Sequence, residues 1–404
     1  MYRWSEEHVA IAEAVRRFVD DEVRPILDDL EFGDLAPYGV LRKFYETFGI
    51  GQLAREQFAR QLERKVAGAA PAERKGGGNA AMTLIPVIEM CRVSPGLVTS
   101  LGVSTGLAAG TIMKLGTPEQ MERFALDLLT LDKVGAWAIT EPDSGSDALG
   151  GMRTAARREG DGYVLNGSKT WITNGPYADT IVCYAKLDDG SGAEPRSRPV
   201  LTFILSSDME GLTRSKPMRK MGQHASPTGE LFFTDVYVGT DRLLGGTEAP
   251  AGGGRASAKD NFVTERAGVA AMALGIIEEC LRLSVDYAKT RMLWGKPISE
   301  FQLIQLKLAR MEVARVNTQN LVFSHIERNA DGATPTLAEA SAMKLYAAQA
   351  AVDVANDAIQ LFGGNGYVSE YRVEQLARDA RVLQIYAGTD EIQVVHIARD
   401  LLSR

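Results

Sequence analysis

Glu265 and Arg266 have the placement that most favours chemistry in this chain. They stand at the head of an apolar stretch, residues 267–277, whose spacing is that of a buried helix. A carboxylate held against an apolar wall is desolvated, which raises its pKa and suits it to accept a proton near neutral pH. The ordinary alternative is a first-turn glutamate favoured by the helix dipole and paired with an exposed arginine. The sequence therefore offers Glu265 as a candidate general base.

Other segments place polar groups and glycines where they could hold a cofactor. Residues 137–147 run from a strand into a tight turn, and Trp171 and Thr173 lie on the next strong strand. Arg291 offers a planar fork for phosphate, and Trp294 offers an apolar face. Residues 360–366 end a long helix with glycines, and residues 385–393 lead into the last helix. Each is weak evidence alone, because core aromatics, turns and helix caps use the same residue types.

The elements that must position these residues follow an α, β, α order. Residues up to about 131 show helical spacing, with Thr117 predicted as a helix cap before Pro118. Residues 134–244 hold short β-branched and aromatic segments between turns, one of them at Asn166 and Gly167. Residues 245–259 read as a linker, and the remainder is helical. We predict an α+β fold with domains at residues 1–133, 134–245 and 246–404.

Length and composition narrow the function classes. The chain has 404 residues, a formal net charge of −7, three scattered cysteines and four histidines without metal-ligand spacing. We therefore expect room for a large cofactor, no metal site and no nucleic-acid partner. No apolar run approaches the roughly 20 residues of a membrane span, so no span is expected, and the cysteines favour a reducing cytoplasm. Rossmann, P-loop and nucleophile-elbow signatures are missing, so a nucleotide would be held in another way.

Taken together, these segments resemble the acyl-CoA dehydrogenase family. The likeness covers essentially the whole chain and is strongest at residues 137–173 and 265–399. It implies a FAD-dependent oxidoreductase with an N-terminal helical domain, a central antiparallel β domain and a C-terminal helical bundle. It also implies oxidation of an acyl-CoA to the trans-2-enoyl-CoA in fatty acid or branched-chain amino acid catabolism. It further implies an electron-transfer flavoprotein as electron acceptor and a homotetramer, a dimer of dimers.

The resemblance also assigns residues to the cofactor and the substrate. The flavin ring would be met by Trp137, Ile139, Thr140, Trp171, Thr173, Thr389 and Glu391, with Thr173 at N5, the atom that receives the hydride. The pyrophosphate and adenosine would be held by Gln360, Gly363 and Gly364, and by Arg291, Trp294 and Gln302 reaching in from a neighbouring subunit. The acyl-CoA would be bound by Ser146, Arg266, Tyr386, Ala387, Gly388 and Arg399. For Ser146 the resemblance gives a second assignment, to the flavin pyrophosphate. For Arg399 the alternative interpretation is an exposed cation in the last helical turn.

The catalytic base is where this chain departs from most of the family. The residue after the tyrosine is usually the glutamate that removes the α-proton, whereas Ala387 stands there in this chain. A minority, including isovaleryl-CoA and long-chain acyl-CoA dehydrogenases, place the base directly before an arginine, as Glu265 is placed. Ala387 keeps the backbone N–H that would polarise the thioester carbonyl. Asp390 and Glu391 are the rival carboxylates, and Asp390 is expected to cap the following helix.

The acyl group is not fixed by the sequence. Base placement favours branched short-chain or long-chain groups, while small residues at 100, 102, 104 and 106 either border the acyl tail or allow close helix packing. The segment 52–81 is atypical, which leaves open a carrier-protein thioester in place of CoA. A flavin oxidase or monooxygenase on the same fold, and a catalytically silent FAD-binding subunit, are the alternatives from other functional classes.

Overall fold

The computed structural model describes residues 3–68, 80–194, 196–248, 253–333 and 335–404, and of residues 253–261 it describes the backbone alone. Residues 69–79 of the atypical segment therefore lie outside the description. The order of elements is α, then β, then α, which confirms the predicted architecture. The domain boundaries fall between elements and stay predictions.

Short helices make up the N-terminal part of the chain. Thr117 caps one of them: its hydroxyl accepts a hydrogen bond from Gln120 N, and the Gln120 side chain accepts one from Thr117 N, which confirms the predicted cap. The helices are α1 (Glu6–Phe18), α2 (Leu27–Phe32), α3 (Tyr38–Thr47), α4 (Ile50–Val66), α5 (Ala80–Cys91), α6 (Pro95–Leu101), α7 (Gly110–Leu115), α8 (Pro118–Gln120) and α9 (Leu126–Leu129).

The middle of the chain folds into a sheet that the described residues show as seven-stranded, in the order β1-β4-β2-β3-β7-β6 with β5 on β4. Most pairs are antiparallel as predicted, but β4 runs parallel to β1 and to β2. Parallel pairing requires a long connection between the two strands, and in both pairs that connection contains β3. The strands are β1 (Gly135–Ala138), β2 (Ala155–Glu159), β3 (Gly162–Thr173), β4 (Thr180–Asp188), β5 (Val200–Ser206), β6 (Leu212–Arg214) and β7 (Thr228–Gly239).

Strand β3 differs from the prediction at two places. The turn predicted at Asn166 and Gly167 is wrong, because β3 continues through them and pairs with β7 on both sides. Gly167 absorbs the register shift there with a φ of 146°. A second shift, between Lys169 and Ile172, adds one residue to β3 and leaves Trp171 with a φ of 58°. Such a bulge re-aims a side chain, and Trp171 consequently points outward.

Helix α6, a π-helical segment (Gly102–Ala109) and α7 form one apolar run, Pro95–Leu115. By length and composition this run could cross a membrane, which corrects the expectation that no segment approaches that length. Nearly half of its most apolar stretch is buried inside the protein. Ser104 Oγ accepts from Gly135 N at 2.8 Å, and Ser100 Oγ donates to Ala225 O at 3.1 Å. The two serines therefore serve close packing against the β domain.

The C-terminal part is a bundle of long helices. It contains α10 (Gly253–Thr290), α11 (Gln302–Ala330), α12 (Leu337–Phe362), α13 (Val373–Arg381) and α14 (Asp390–Leu402), with a hairpin of β8 (Met292–Leu293) and β9 (Lys296–Pro297) after α10. The predicted linker at 245–259 is wrong from residue 253 onward, where α10 already begins. Once the long apolar helix has formed, extending it by further turns costs little, so it continues into the weaker sequence before it.

Three apolar clusters hold these parts together. The largest joins the N-terminal helices to α10, α12 and α13, the second lies within the sheet, and the third packs the sheet against the helical run around Ala108 and Ile112. Burial of this apolar surface is the main favourable term in folding. It fixes α10 beside both the N-terminal helices and the loop that precedes α14.

Candidate active site

Glu265 lies inside α10, about three turns from the helix start, so it is not a first-turn residue paired with the helix dipole. Its side chain is half-buried, and among the described residues no hydrogen bond or ion pair involves its carboxylate. Burial raises the pKa of Glu265 to about 7, although the charges of Arg266 and Lys344 act in the opposite direction. A carboxylate in this state can accept a proton near neutral pH.

Arg266 is buried, not part of an exposed pair as the ordinary interpretation would have it. It is 1% exposed, and its guanidinium donates to Ser341 Oγ at 2.9 Å. Its Nε is buried without a partner among the described residues. Its Nη2 would lie 3.4 Å from a Cβ placed on Gly388. Arg266 thus connects α10 to α12 by a hydrogen bond and lies beside the loop before α14.

The loop at residues 385–389 is held by its carbonyl oxygens. Lys344 Nζ donates to Gly388 O at 3.0 Å, and Gln393 Nε2 donates to Ala387 O at 3.1 Å. Ala387 has a φ of 54°, a left-handed conformation that alanine adopts rarely. In the part of the chain that is described, neither the Ala387 N–H nor the Gly388 N–H has an acceptor. Two amide donors are therefore left for a ligand.

Tyr386 closes the space beside this loop. Its side chain is half-buried, its hydroxyl donates to Met272 Sδ at 3.5 Å, and the hydroxyl accepts from Gln223 Nε2 at 3.4 Å. Burial is the main cause that raises the pKa of Tyr386 above its ordinary value. The ring is thus neutral and fixed, as the wall of a thioester site would be.

The rival carboxylates are occupied or exposed. Asp390 Oδ1 accepts from Lys344 Nζ at 3.1 Å, so its charge is already paired. The expectation that Asp390 caps α14 is wrong: Thr389 is the N-cap, and its hydroxyl accepts from Ile392 N at 3.4 Å. Glu391 is exposed, and a hydrogen bond from its own backbone together with the Thr389 hydroxyl lowers its pKa. Neither carboxylate has the desolvated setting of Glu265.

A second group of predicted residues gathers on β3 and at the end of β1. Thr170 N donates to Thr140 O at 3.0 Å, which brings Thr140 beside Trp171. Trp171 is 63% exposed, and Trp137 Nε1 is buried without a partner among the described residues. Within the described ranges the hydroxyls of Thr140 and Thr173 also make no hydrogen bond. An open aromatic face with free polar donors beside it fits the flavin ring of FAD.

The turn after β1 is fixed by a buried ion pair that the sequence did not suggest. Glu141 accepts from Lys169 Nζ at 2.8 Å and from Thr154 N at 2.9 Å. Burial opposes ionisation of Glu141, but the Lys169 charge and these hydrogen bonds together lower its pKa. Lys169 Nζ also donates to Ile139 O at 3.2 Å, while Ser146 remains exposed at the end of the turn. The pair therefore anchors the backbone of the predicted flavin-binding segment.

The remaining predicted cofactor residues lie at the far end of α10. Tyr287 joins the two segments there: its O accepts from Arg291 N at 2.8 Å, and its hydroxyl accepts from Asn365 Nδ2 at 3.0 Å. From Glu265 to Tyr287 the helix rises about 33 Å. At that end the exposed residues of the prediction are Arg291, Trp294, Gln302, Gln360, Gly363 and Gly364. A single chain therefore does not bring these six residues to the Glu265 pocket. Arg399, on α14, is also exposed.

Three positioning residues escaped the sequence analysis. Gln223 has a φ of 50° and accepts from Thr99 Oγ1 at 2.8 Å while it donates to Tyr386. Lys169 and Lys344 are fully buried cations. A lone lysine in an apolar strand or helix is a usable signal, since such a cation must have a buried partner. For Gln223 the sequence carried no such signal.

Comparisons with known proteins agree with this geometry. Sequence profiles of the acyl-CoA dehydrogenase N-terminal, middle and C-terminal domains match residues 50–132, 136–236 and 252–402. A 3-(aryl)acrylate reductase from Clostridium sporogenes is 35% identical over 99% of each chain, and an acyl-CoA dehydrogenase from Bacillus subtilis is 36% identical over 98% of each chain. The solved butyryl-CoA dehydrogenase from Megasphaera elsdenii is 32% identical and superposes over 100% of each chain with a TM-score of 0.83. The chain therefore belongs to the acyl-CoA dehydrogenase family and is a FAD-dependent oxidoreductase.

Proposed function

We propose that this protein oxidises an acyl-CoA to the trans-2-enoyl-CoA with Glu265 as the base. Glu265 takes the proton from Cα, a hydride leaves Cβ, and the electron pair of the Cα–H bond becomes the new double bond. The observation that carries the proposal is the half-buried Glu265 carboxylate, which has no partner among the described residues. Burial also raises its pKa to about 7, whereas Asp390 is paired with Lys344 and the pKa of the exposed Glu391 is lowered.

The loop at residues 385–389 supplies the complementary charge. As the α-proton leaves, negative charge moves to the thioester oxygen, and the free N–H of Ala387, with that of Gly388, can donate to it. Lys344 and Gln393 already hold the carbonyls of these residues, so the amides need no rearrangement to donate. The base and the oxyanion donors thus come from different elements. An alanine at position 387 is therefore compatible with both.

The residues on β3 and β1 fit FAD, and the far end of α10 fits its pyrophosphate and adenosine. Bound FAD supplies the acceptor for the hydride from Cβ. Thr140, Thr173 and the exposed face of Trp171 would hold the ring. Because Arg291 and Trp294 follow the end of α10, about 38 Å along the helix axis from Glu265, they would serve the cofactor of a second copy. This arrangement supports pairing with a second copy, and we further propose a homotetramer, a dimer of dimers, that acts in the cytoplasm with an electron-transfer flavoprotein as acceptor.

The test is a Glu265→Gln variant in an anaerobic reduction experiment. The variant keeps the size of the side chain and removes its basicity, so we expect bound yellow flavin with reduction by acyl-CoA slowed at least about 100-fold. Asp286→Asn, an amide exchange at an exposed position on the same helix, is the control and should reduce at the normal rate. Normal reduction of Glu265→Gln by every acyl-CoA tried would refute the assignment of the base.

The reverse direction is a second candidate, favoured by the relative named 3-(aryl)acrylate reductase. In that direction Glu265 would give its proton to Cα of an enoyl thioester, and a pKa near 7 suits both directions. Reoxidation of chemically reduced enzyme by cinnamoyl-CoA, faster than any reduction by saturated acyl-CoAs, would establish it. Rapid reaction of the reduced enzyme with oxygen would instead indicate an oxidase or monooxygenase.

A further inference from the structure

One face of α10 carries the base and an unfilled position. Glu265, Gly268 and Met272 are spaced by three and four residues, so they lie on the same side of the helix. A Cβ added to Gly268 would meet no described atom within 4 Å, although the residue is half-buried. Gly268 stands about 4.5 Å along the helix axis from Glu265. The open volume therefore borders the place where Cα and Cβ of the substrate must meet the base.

Gly275, a second glycine on α10, is required by close packing, and Gly268 differs from it in this respect. A Cβ on Gly275 would lie 2.2 Å from Ile88 O and 2.9 Å from Cys91 Cβ, so Gly275 is needed for α5 to approach α10. Gly268 has no such neighbour among the described residues. A glycine inside a helix costs about 1 kcal/mol relative to alanine. Its presence at 268 is accounted for if a ligand uses the space.

The same face is closed two turns beyond the base. Met272 is 5% exposed, and its Sδ receives the Tyr386 hydroxyl at 3.5 Å. It lies about 10.5 Å along the helix axis from Glu265. Gln223 holds Tyr386 from the other side, with Nε2 3.4 Å from the hydroxyl oxygen. The space beside Glu265 is therefore open next to Gly268, whereas along the axis of α10 it is closed by Met272.

We infer that Gly268 selects a short, wide acyl group, one with a branch or an aryl ring on Cβ, and that Met272 and Tyr386 exclude long straight chains. This inference rests on the proposed function of the same site. It names the acyl class that the sequence left open. A substrate methyl or ring next to Cβ would occupy the volume that a side chain at 268 would otherwise fill.

The experiment compares anaerobic flavin reduction by four acyl-CoAs: butyryl, isovaleryl, 3-phenylpropionyl and palmitoyl. We expect the wild-type holoenzyme to prefer isovaleryl or 3-phenylpropionyl over palmitoyl by at least about 10-fold in kcat/KM.

Gly268→Leu should lower kcat/KM for the wide substrate about 10-fold or more, while kcat/KM for butyryl-CoA changes far less. Met272→Ala should raise the rate with a longer straight chain, octanoyl-CoA. Gly39→Leu, at an exposed helical glycine that also has open space, is the control and should leave the preferences unchanged.

The outcomes separate this inference from the proposed function. If no acyl-CoA bleaches the wild-type flavin, the dehydrogenase function itself is refuted. If butyryl-CoA and palmitoyl-CoA bleach it as well as the wide substrates do, or if Gly268→Leu slows all substrates equally, the dehydrogenase function stands and the role of Gly268 is overturned. An unchanged flavin spectrum and melting temperature of Gly268→Leu show that the variant is folded and loaded.

Discussion

At the scale of single residues, the proposed function separates two tasks, proton removal and stabilisation of the thioester oxygen. In this proposal the residue after Tyr386 provides only a backbone donor, while the base is Glu265 on α10. Ala387 has a left-handed φ of 54°, and the carbonyls of Ala387 and Gly388 accept hydrogen bonds from Gln393 and Lys344. Because these bonds involve only backbone oxygens of the loop, its shape does not depend on the side chain at 387. The proposed base can therefore stand on another element without loss of the proposed oxyanion site.

The raised pKa of Glu265 predicts a pH-dependent gain of stability in Glu265→Gln. An unfolded glutamate ionises near its ordinary pKa of 4.5, whereas the folded group holds its proton up to about pH 7. Ionising Glu265 therefore opposes folding as the pH rises from 4.5, by about 3 kcal/mol once the pH exceeds 7. We expect Glu265→Gln to unfold at higher urea concentration than wild type at pH 8 and at an equal concentration at pH 4.

The same change at an exposed carboxylate is the control for that measurement. Asp286→Asn should shift the urea midpoint little at either pH, because its carboxylate is exposed. A destabilised Glu265→Gln at pH 8 would mean that the carboxylate has a favourable partner in solution and is not desolvated. The comparison is made on protein without acyl-CoA, so it tests the environment of the base independently of catalysis.

At the scale of elements, the active loop depends on a buried cation from the neighbouring helix α12. The Lys344 side chain is fully buried and donates to Gly388 O and to Asp390 Oδ1. Burial is the first cause that lowers the pKa of Lys344, and Asp390 opposes it. An isolated buried charge is costly, so the ion pair must stay intact for α12, the loop and α14 to remain together.

We predict that Lys344→Met destabilises the protein by about 3 kcal/mol or more, because it leaves Asp390 unpaired beside the loop. The KM for acyl-CoA should rise as well, since Gly388 O loses one of its two donors and keeps only Gln393 Nε2. The double variant Lys344→Met with Asp390→Asn removes both charges and should recover a large part of the lost stability. Urea unfolding of the three proteins measures this, and a double variant no more stable than Lys344→Met would show that the pairing with Asp390 contributes little.

Elements were predicted well wherever the signal was local. The prediction that the chain is helical after residue 259 is confirmed by helices such as Gln302–Ala330 and Asp390–Leu402, because helical spacing of apolar residues is read from neighbours in the chain. The course of β3 through Asn166 and Gly167 was not predicted, because its pairing with β7 is long-range and overrides local turn preference. The bulge that turns Trp171 outward has the same origin.

The residues of the candidate site show the same difference between local and long-range signals. Glu265, Tyr386 and Ala387 were named as candidates because each sits in a short motif. Gln223 was missed because its partners, Thr99 and Tyr386, are more than a hundred residues away and come from two different helical regions. A single sequence shows which residues could do chemistry, whereas the residues that hold them in place are defined by contacts between domains.

At the scale of the whole molecule, α10 separates two halves of one proposed cofactor site. Its interior carries Glu265, and its far end leads into the hairpin of β8 and β9. Trp294 at the tip of that hairpin is 83% exposed, beside Met292 at 53% and Leu293 at 42%. Large apolar side chains exposed together mark a surface that another protein covers. A second copy of the chain, bringing Arg291 to the flavin of its neighbour, accounts for both the exposure and the separation along α10.

Mixing two inactive variants tests this arrangement directly. Glu265→Gln lacks the base, and Arg291→Ala should bind FAD at least about 10-fold more weakly because it loses the phosphate fork. If Arg291 serves the neighbouring subunit, a hybrid dimer of the two variants contains one site with both defects and one with neither. Co-expression with different tags should then restore about a quarter of the wild-type activity at limiting FAD, since half the dimers are hybrids. If Arg291 serves its own chain, every site carries one defect and no activity returns. Lys289→Ala, the loss of a nearby exposed cation, should remain active alone.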